Sequence, residues 1–295
     1  MPHGEPDAPR LLLSPLGEAV QREWIAISTH RPEISILALQ LMPDHLHGIL
    51  FVRSRIPCHL GQVIKGFKIA TNRAYRELIT GTNPTVAAST PSTRPVSCDS
   101  IAVETKINRK HGLLWSPGYT DGILARREQL QRWQAYLRDN PRRLLVKRLH
   151  PEFFRIRRNV QIGTYTFSAI GNLFLQKHPV RIQVQCSRRL TEPAIQEQKE
   201  HFLSLARRGA VLVSPSISPG EKAVMRAAFD EGLPLILLQE NGFGELAKPG
   251  GAKFDACAEG RLLILAPWEH HNQHITISRT QCLSLNKMAE VVYNQ

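Results

Sequence analysis

Two histidines, His45 and His47, stand two residues apart in the segment Leu41–Leu50 and are the first candidates for chemistry. If this segment forms a β-strand, both side chains lie on one face, because alternate residues of a strand point to the same side. Two neutral imidazoles on one face can bind a single divalent cation. The same pattern also fits two hydrogen-bonded surface histidines, because imidazole serves many structural roles.

The residues around the histidines predict a β-hairpin preceded by a helix. Helical spacing places Val20, Trp24 and Ile27 on one side of a helix over residues 17–27. The apolar run Ile34–Leu41 predicts a strand, Pro43-Asp44 a turn, and His45–Val52 a second strand. We therefore expect the histidines at the start of the second strand of the hairpin.

A basic amphipathic helix is predicted over Leu60–Ile79. Its predicted inward side is apolar, and Lys65, Lys68, Arg73 and Arg76 are predicted to point outward. These four side chains would suit the phosphate backbone of DNA. An ordinary solvated charged face explains them equally well.

Charge is spread unevenly along the 295 residues. Residues 1–158 hold 24 Lys and Arg against 13 Asp and Glu, a net charge of 24 − 13 = +11, whereas residues 159–295 hold 14 against 12, a net charge of +2. A basic first half predicts a polyanionic partner, most commonly nucleic acid.

No apolar run is long enough to predict a membrane span, and no signal-peptide pattern is present, so a membrane partner is not expected. The five cysteines form no CxxC pair, which argues against a disulfide framework or zinc ribbon and predicts a cytoplasmic protein.

The later part of the first half alternates between irregular and regular patterns. Residues 81–110 show almost no periodicity and are expected to be a flexible insertion. A bent strand is predicted over Leu113–Leu124, followed by a helix over Arg126–Asp139 that ends at Asn140-Pro141.

The second half predicts a parallel α/β sheet, because short continuous apolar strands alternate with helices. The fold class is therefore α/β, with domains at residues 1–158 and 159–295. The predicted strands are 181–186, 210–214, 233–238 and 262–266, and the predicted helices are 192–208, 219–231 and 278–293.

The histidine segment, Met-Pro-Asp-His-Leu-His-Gly-Ile at 42–49, resembles the Met-Pro-Asn-His-x-His-hydrophobic signature of the HUH-type tyrosine transposases of the REP-associated group. Flanking segments are similar to that family in order and spacing, so the resemblance spans residues 11–150. These segments are Leu13–Trp24, Val63–Arg73, Leu114–Ile123 and Tyr136–Pro141. The resemblance implies a ferredoxin-like HUH domain.

The resemblance also implies roles for individual residues. Tyr136 matches the nucleophile, and Asn140 matches a polar metal ligand beside His45 and His47. The implied cofactor is Mg²⁺ or Mn²⁺, and the implied partners are single-stranded or hairpin-bearing DNA and a second copy of the chain in a homodimer. The implied activity is metal-dependent nicking and strand transfer through a 5′-phosphotyrosine. Tyr136 also fits a non-catalytic helix tyrosine packed beside Trp133 and Leu137.

The chain departs from the family at its beginning. Members start with an extra strand ahead of the first helix, and residues 1–10 do not predict one. One alternative is therefore an N-terminally truncated, catalytically inactive DNA-binding remnant.

Residues 170–292 resemble the Rossmann-like core of DNA-processing protein A. The matching segments are Val184–Arg189, Gly209–Val213, Ser214–Lys222 and Gly232–Leu238. The loop Ser214–Gly220 joins a strand to a helix, and free amides there would suit an anion such as phosphate. No GxGxxG or Walker A motif is present. A second alternative is a nucleotide- or small-ligand-binding protein led by this domain.

Overall fold

The structure, a computed structural model, describes residues 9, 11–80, 114–273 and 276–295. The fold is α/β, as the sequence predicts. Internal contacts divide the chain into two compact units, Met1–Leu144 and Leu145–Gln295. This division precedes the predicted boundary at 158/159, because the strand Arg157–Ile162 pairs with Tyr165–Gly171 in the sheet of the second unit. The predicted insertion at 81–110 lies outside the described residues.

The first unit contains two helices, a hairpin and the start of a long third helix within its described residues. In chain order these are α1 (Pro15–His30), β1 (Ile34–Leu41), β2 (Leu46–Val52), α2 (Leu60–Thr80) and α3 (Arg127–Leu149). The strands β1 and β2 pair antiparallel in a two-stranded sheet. The described residues thus do not form the larger sheet of a ferredoxin-like domain.

The hairpin docks on α1 and α2 through one apolar face. Trp24 is almost fully buried and contacts Phe67 edge to face, with ring centroids 5.1 Å apart. A Cβ at position 48 would lie 2.0 Å from the indole of Trp24, so only glycine permits this close approach. The side chains of Leu46 and Leu50, on the same strand face as Gly48, belong to this core.

The bent strand predicted over 113–124 is wrong for the described residues, which from Leu114 to Ala125 form turns and irregular backbone. Side chains of α2 hold this segment. Asn72 Oδ1 accepts from the amide of Leu114 (2.8 Å), and the indole of Trp115 donates to Thr71 Oγ1 (2.7 Å). Lys68 donates to the carbonyls of Ser116 and Gly118. These side-chain contacts, rather than a strand ladder, hold the segment in place.

The helix predicted to end at Asn140-Pro141 instead continues to Leu149. Proline within a helix removes one backbone hydrogen bond and weakens the helix. Ion pairs span the weakened turn, because the Asp139 carboxylate receives Arg142 Nε at 2.6 Å and lies 3.7 Å from Arg143 Nη1. All three side chains are less than a quarter exposed, so salt and solvent screen their attraction little.

The second unit is built on a six-stranded sheet in the order β3-β4-β8-β7-β6-β5. Strands β5 to β8 are parallel, as predicted, whereas β3 and β4 form an antiparallel hairpin that extends the sheet beyond β8. The strands are β3 (Arg157–Ile162), β4 (Tyr165–Gly171), β5 (Arg181–Gln183), β6 (Val211–Ser214), β7 (Leu235–Leu238) and β8 (Leu262–Ala266). The helices are α4 (Pro151–Phe154), a 3₁₀ turn (Leu173–Lys177), α5 (Glu192–Arg207), α6 (Pro219–Asp230), α7 (Ala252–Ala258) and α8 (Arg279–Asn294).

Apolar clusters cover both faces of this sheet. One cluster includes residues of α5, α6 and α7, and the other includes residues of α8. Because both faces of the sheet are buried, its parallel strands are apolar at consecutive positions rather than at alternate ones. Among the described residues, no helix combines the length and the apolar character that crossing a membrane requires.

Candidate active site

The hairpin brings His45 and His47 together at its turn. The amide of Met42 donates to the carbonyl of His45 (2.8 Å) and closes the predicted turn, and His47 pairs with Gln40 in the ladder. The two imidazole centroids are 4.9 Å apart with their planes at 85°. His45 immediately precedes β2, and its ring nevertheless lies beside that of His47.

Tyr136 of α3 joins this pair. Its ring centroid lies 6.0 Å from that of His47 and 5.5 Å from that of Trp133, in both cases edge to face. The side chain is 41% exposed, so its packing beside Trp133 leaves much of the phenol open to solvent. The structure therefore brings three of the predicted site residues, His45, His47 and Tyr136, into one cluster within the first unit.

The protonation of His47 suits metal binding. Burial lowers the pKa of His47, and the neighbouring His45 lowers it further, so the neutral imidazole is favoured. Only a neutral imidazole has a lone pair to offer a cation. The Asp44 carboxylate accepts a hydrogen bond from Nδ1 of His45 at 2.6 Å, which leaves Nε2 as the remaining ring nitrogen of His45.

Asn140 lies in the interior of α3, one helical turn beyond Tyr136, rather than at a helix end. It is only 7% exposed, and its Nδ2 atom has no hydrogen-bond partner among the described residues. The two ends of an amide are interchangeable by rotation, so this unpartnered position can equally present an oxygen. A buried polar atom without a partner is costly, and a ligand that contacts it would relieve the cost.

The neighbouring imidazoles of His45 and His47 are the residues of this cluster that could hold a divalent cation. Within residues 9, 11–80, 114–273 and 276–295, no group of three or more His, Cys, Asp or Glu side chains is placed to hold a metal ion. A cation site formed by His45, His47 and Asn140 stays a prediction.

The predicted basic residues of α2 differ in their surroundings. Lys65 and Arg73 are exposed, as predicted. Lys68 is half-buried and donates to two carbonyls of the segment that follows Leu114. Its ammonium group therefore stabilises the fold of this segment. Arg76 is half-buried and donates to the carbonyl of Asn72 (3.3 Å). The outward surface of α2 is consequently less basic than its sequence indicates.

Two neighbours of the cluster were not singled out as site residues by the sequence. Asp44 orients His45, and the guanidinium of Arg143 lies 5.9 Å from the centroid of the Tyr136 ring. Asp44 adjoins His45 directly, which is a usable sequence signal. Arg143 follows Tyr136 by seven positions, about two helical turns, and that spacing places both side chains on one helix face.

In the second unit, the loop Ser214–Gly220 does not offer the free amides that the sequence predicts. The buried Glu221 carboxylate accepts hydrogen bonds from the amides of Ile217 (2.7 Å), Ser218 (3.2 Å) and Cys186 (3.3 Å). A carboxylate from the chain thus fills the position that an anionic ligand would take. The prediction of an anion site in this loop is wrong.

Comparisons with known proteins do not assign the chain to a family or a function. No protein-family model matches the chain, and no curated protein matches it. Among solved structures, DNA processing protein A from Helicobacter pylori, described with a single-stranded DNA binding mode, matches with a TM-score of 0.35 and 17% identity over 48% of this chain. The match spans 66% of that protein, slightly under two thirds. A TM-score this low supports no transfer of function from that protein to this chain. The resemblance of residues 11–150 to HUH transposases stays a prediction.

Proposed function

We propose that the first unit nicks and rejoins single-stranded DNA through a covalent phosphotyrosine at Tyr136, with a divalent cation held by His45 and His47. The observation that carries this proposal is the ring cluster, in which His47 contacts both His45 and Tyr136. The hairpin and α3 are distant in sequence, so their meeting at these three residues is a property of the fold. A nucleophile beside a metal-binding pair is the arrangement that phosphoryl transfer to a side chain requires.

The proposed reaction keeps the energy of the broken phosphodiester bond in the covalent link to Tyr136. The Tyr136 hydroxyl oxygen attacks the scissile phosphorus and forms a P–O bond, its proton passes to solvent, and the bond from phosphorus to the 3′-oxygen breaks. The leaving 3′-oxygen takes up a proton and becomes a 3′-hydroxyl, while the 5′-phosphate stays on Tyr136. A second 3′-hydroxyl then attacks the same phosphorus and releases the tyrosine, so rejoining needs no nucleotide cofactor.

Each residue of the cluster has a part in this reaction. When bound, a divalent cation polarises the scissile phosphate and stabilises the negative charge of the transition state. His45 and His47 hold it through neutral nitrogens, and Asn140 offers a third contact. Arg143 places a positive charge close to the phenol ring, where it favours an approaching phosphate.

The charge distribution supports a nucleic-acid substrate. Residues 1–158 carry a net charge of 24 − 13 = +11, the sign and location that contact with a phosphate backbone needs. A single strand is the proposed form, because the resemblance of residues 11–150 to HUH transposases implies single-stranded or hairpin-bearing DNA. We therefore expect binding that weakens steeply as salt is raised.

A covalent-adduct assay tests the proposal. The full chain is incubated with hairpin-bearing single-stranded DNA and Mn²⁺ or Mg²⁺, and protein–DNA adducts are separated on a denaturing gel. Wild type is expected to form adduct, Tyr136→Phe none, and the control Tyr119→Phe as much as wild type. Tyr119 suits the control because it is 47% exposed in the same unit, against 41% for Tyr136.

Two outcomes would overturn the proposal. Adduct formation by Tyr136→Phe at the wild-type level would exclude this tyrosine as the nucleophile. Absence of adduct under every metal, with salt-sensitive DNA binding retained, would identify the chain as a DNA-binding protein without nicking activity.

A further inference from the structure

The outer face of β2 carries an exposed aromatic ring that the nicking reaction itself does not use. Phe51 is 53% exposed. Residues at odd positions of β2 share one face, so Phe51 lies on the same face as His47. The even positions form the opposite face, where Gly48 lies against Trp24 in the core. Among the described residues, Phe51 belongs to none of the three apolar clusters.

The position of Phe51 relative to the candidate site follows from strand geometry. Four residues separate it from His47, and at about 3.3 Å per residue the two lie roughly 13 Å apart along the strand. A single DNA strand whose phosphate lies between His47 and Tyr136 therefore reaches Phe51 within a few nucleotides.

Positive charge follows the ring directly. Arg53 and Arg55, two and four residues beyond Phe51, are both exposed. An exposed aromatic ring beside basic side chains is the combination by which proteins bind single-stranded nucleic acid, because the ring stacks on a base while the cations contact the phosphates.

We propose that Phe51 is a stacking platform for one base of the single-stranded DNA substrate, with Arg53 and Arg55 contacting the adjoining phosphates. The inference rests on the proposed function for the location of the scissile phosphate. It adds a determinant of where the strand is held relative to the site of cleavage. Bases in a duplex are already stacked on one another, so the platform selects a single strand over a duplex.

A binding measurement in the uncleaving Tyr136→Phe background tests the platform independently of catalysis. Fluorescence anisotropy with a labelled single-stranded oligonucleotide is expected to show on the order of 5- to 100-fold weaker binding after Phe51→Ala. Phe51→Trp is expected to retain affinity and to show indole quenching when DNA is added. Phe174→Ala is the matched control, because Phe174 is an exposed phenylalanine (74%) in the second unit, and no change is expected.

Abasic substitutions in the oligonucleotide locate the stacked base. One abasic position is expected to weaken wild-type binding, and Phe51→Ala should add little further loss with that oligonucleotide. Equal affinity of Phe51→Ala and its parent for intact DNA would overturn the inference. A Phe51→Ala effect on self-association in sedimentation, with unchanged DNA affinity, would also overturn it and would assign the ring to contact between copies of the chain.

The two proposals fail separately. Adduct formation at Tyr136 with no effect of Phe51→Ala on binding would leave the nicking activity and exclude the platform. Binding that depends on Phe51, without adduct from wild type, would retain the platform as a DNA contact and exclude the nicking activity.

Discussion

The imidazole of His47 lies edge-on to the phenol ring of Tyr136, with centroids 6.0 Å apart and planes at 73°. His47 belongs to the hairpin and Tyr136 to α3, so the contact depends on how the first unit folds. It places a candidate nucleophile beside a candidate metal ligand.

Metal affinity should depend on His47. His47→Ala removes one of the two proposed imidazole ligands and is expected to weaken Mn²⁺ binding at least about tenfold in titration calorimetry, more than the loss of an outer-shell contact. His30→Ala is the control, because His30 is an exposed histidine at the end of α1 in the same unit. Equal Mn²⁺ affinity of wild type and His47→Ala would remove His47 from the metal site.

Gly48→Ala should destabilise the first unit. The added methyl group would meet the buried Trp24 ring at 2.0 Å, and we expect the free energy of unfolding to fall by about 1–3 kcal/mol in urea titrations. Gly66→Ala is the matched control, since a Cβ there meets no atom of the described residues within 4 Å and alanine favours the helix by about 0.5–1 kcal/mol. The prediction fails if both variants have the same stability.

Asp139→Asn should weaken α3 at the turn that contains Pro141. The substitution removes the charge that pairs with Arg142 and Arg143, and the expected loss is about 1–3 kcal/mol by circular dichroism during urea unfolding. Glu128→Gln breaks an exposed i,i+4 pair with Arg132 on the same helix and should change stability by less than about 0.5 kcal/mol. Equal effects of the two substitutions would exclude a special role for Asp139.

Glu221→Ala should destabilise the second unit and uncover an anion site. Three amides lose their acceptor, so the expected cost is at least about 2 kcal/mol. Inorganic phosphate should then raise the Tm of the variant but not that of wild type. Gln281→Ala, which opens the exposed capping box of α8, is the control and should respond little to phosphate. If phosphate leaves the Tm of Glu221→Ala unchanged, the Glu221 carboxylate does not occupy an anion site in the wild-type protein.

His271 should titrate at a higher pH than an ordinary histidine. A hydrogen bond to Glu240 (2.8 Å) is the main cause of the raised pKa, and the carbonyl of Gln273 faces the other ring nitrogen at 3.0 Å. The imidazolium therefore stabilises the folded second unit fully below the ordinary pKa of 6.5, and this contribution disappears as pH rises through the raised value. An NMR titration of the histidine ring protons is expected to place His271 above 6.5, and Glu240→Gln should lower its pKa.

The pKa of His47, in the first unit, should be shifted in the opposite direction to that of His271. Its lowered pKa favours the neutral form in the folded state, so its contribution to stability is lost as pH falls from 6.5 toward the lowered value. The same NMR titration should place His47 below 6.5, which provides an internal comparison. A pKa for His47 above that of His271 would contradict the burial seen in the structure.

Local patterns in the sequence determined much of the fold. β1 and β8 have the predicted bounds, Ile34–Leu41 and Leu262–Ala266, because continuous apolar runs between turn residues specify strands within a few positions. Strand alternation predicted the proximity of His45 and His47, although His45 lies just before β2. The hairpin of β3 and β4 was missed, although Gly163, with φ of +56°, marks its turn.

The tertiary structure decided what depends on residues far apart in sequence or on side chains that replace backbone partners. It placed Tyr136 against His47, and it used Lys68 and Asn72 to hold the segment that follows Leu114. The Glu221 carboxylate accepts hydrogen bonds from amides that the sequence predicted to be free for a ligand. Propensity and spacing describe neighbours along the chain, whereas these hydrogen bonds and ring contacts form only when separate elements pack together.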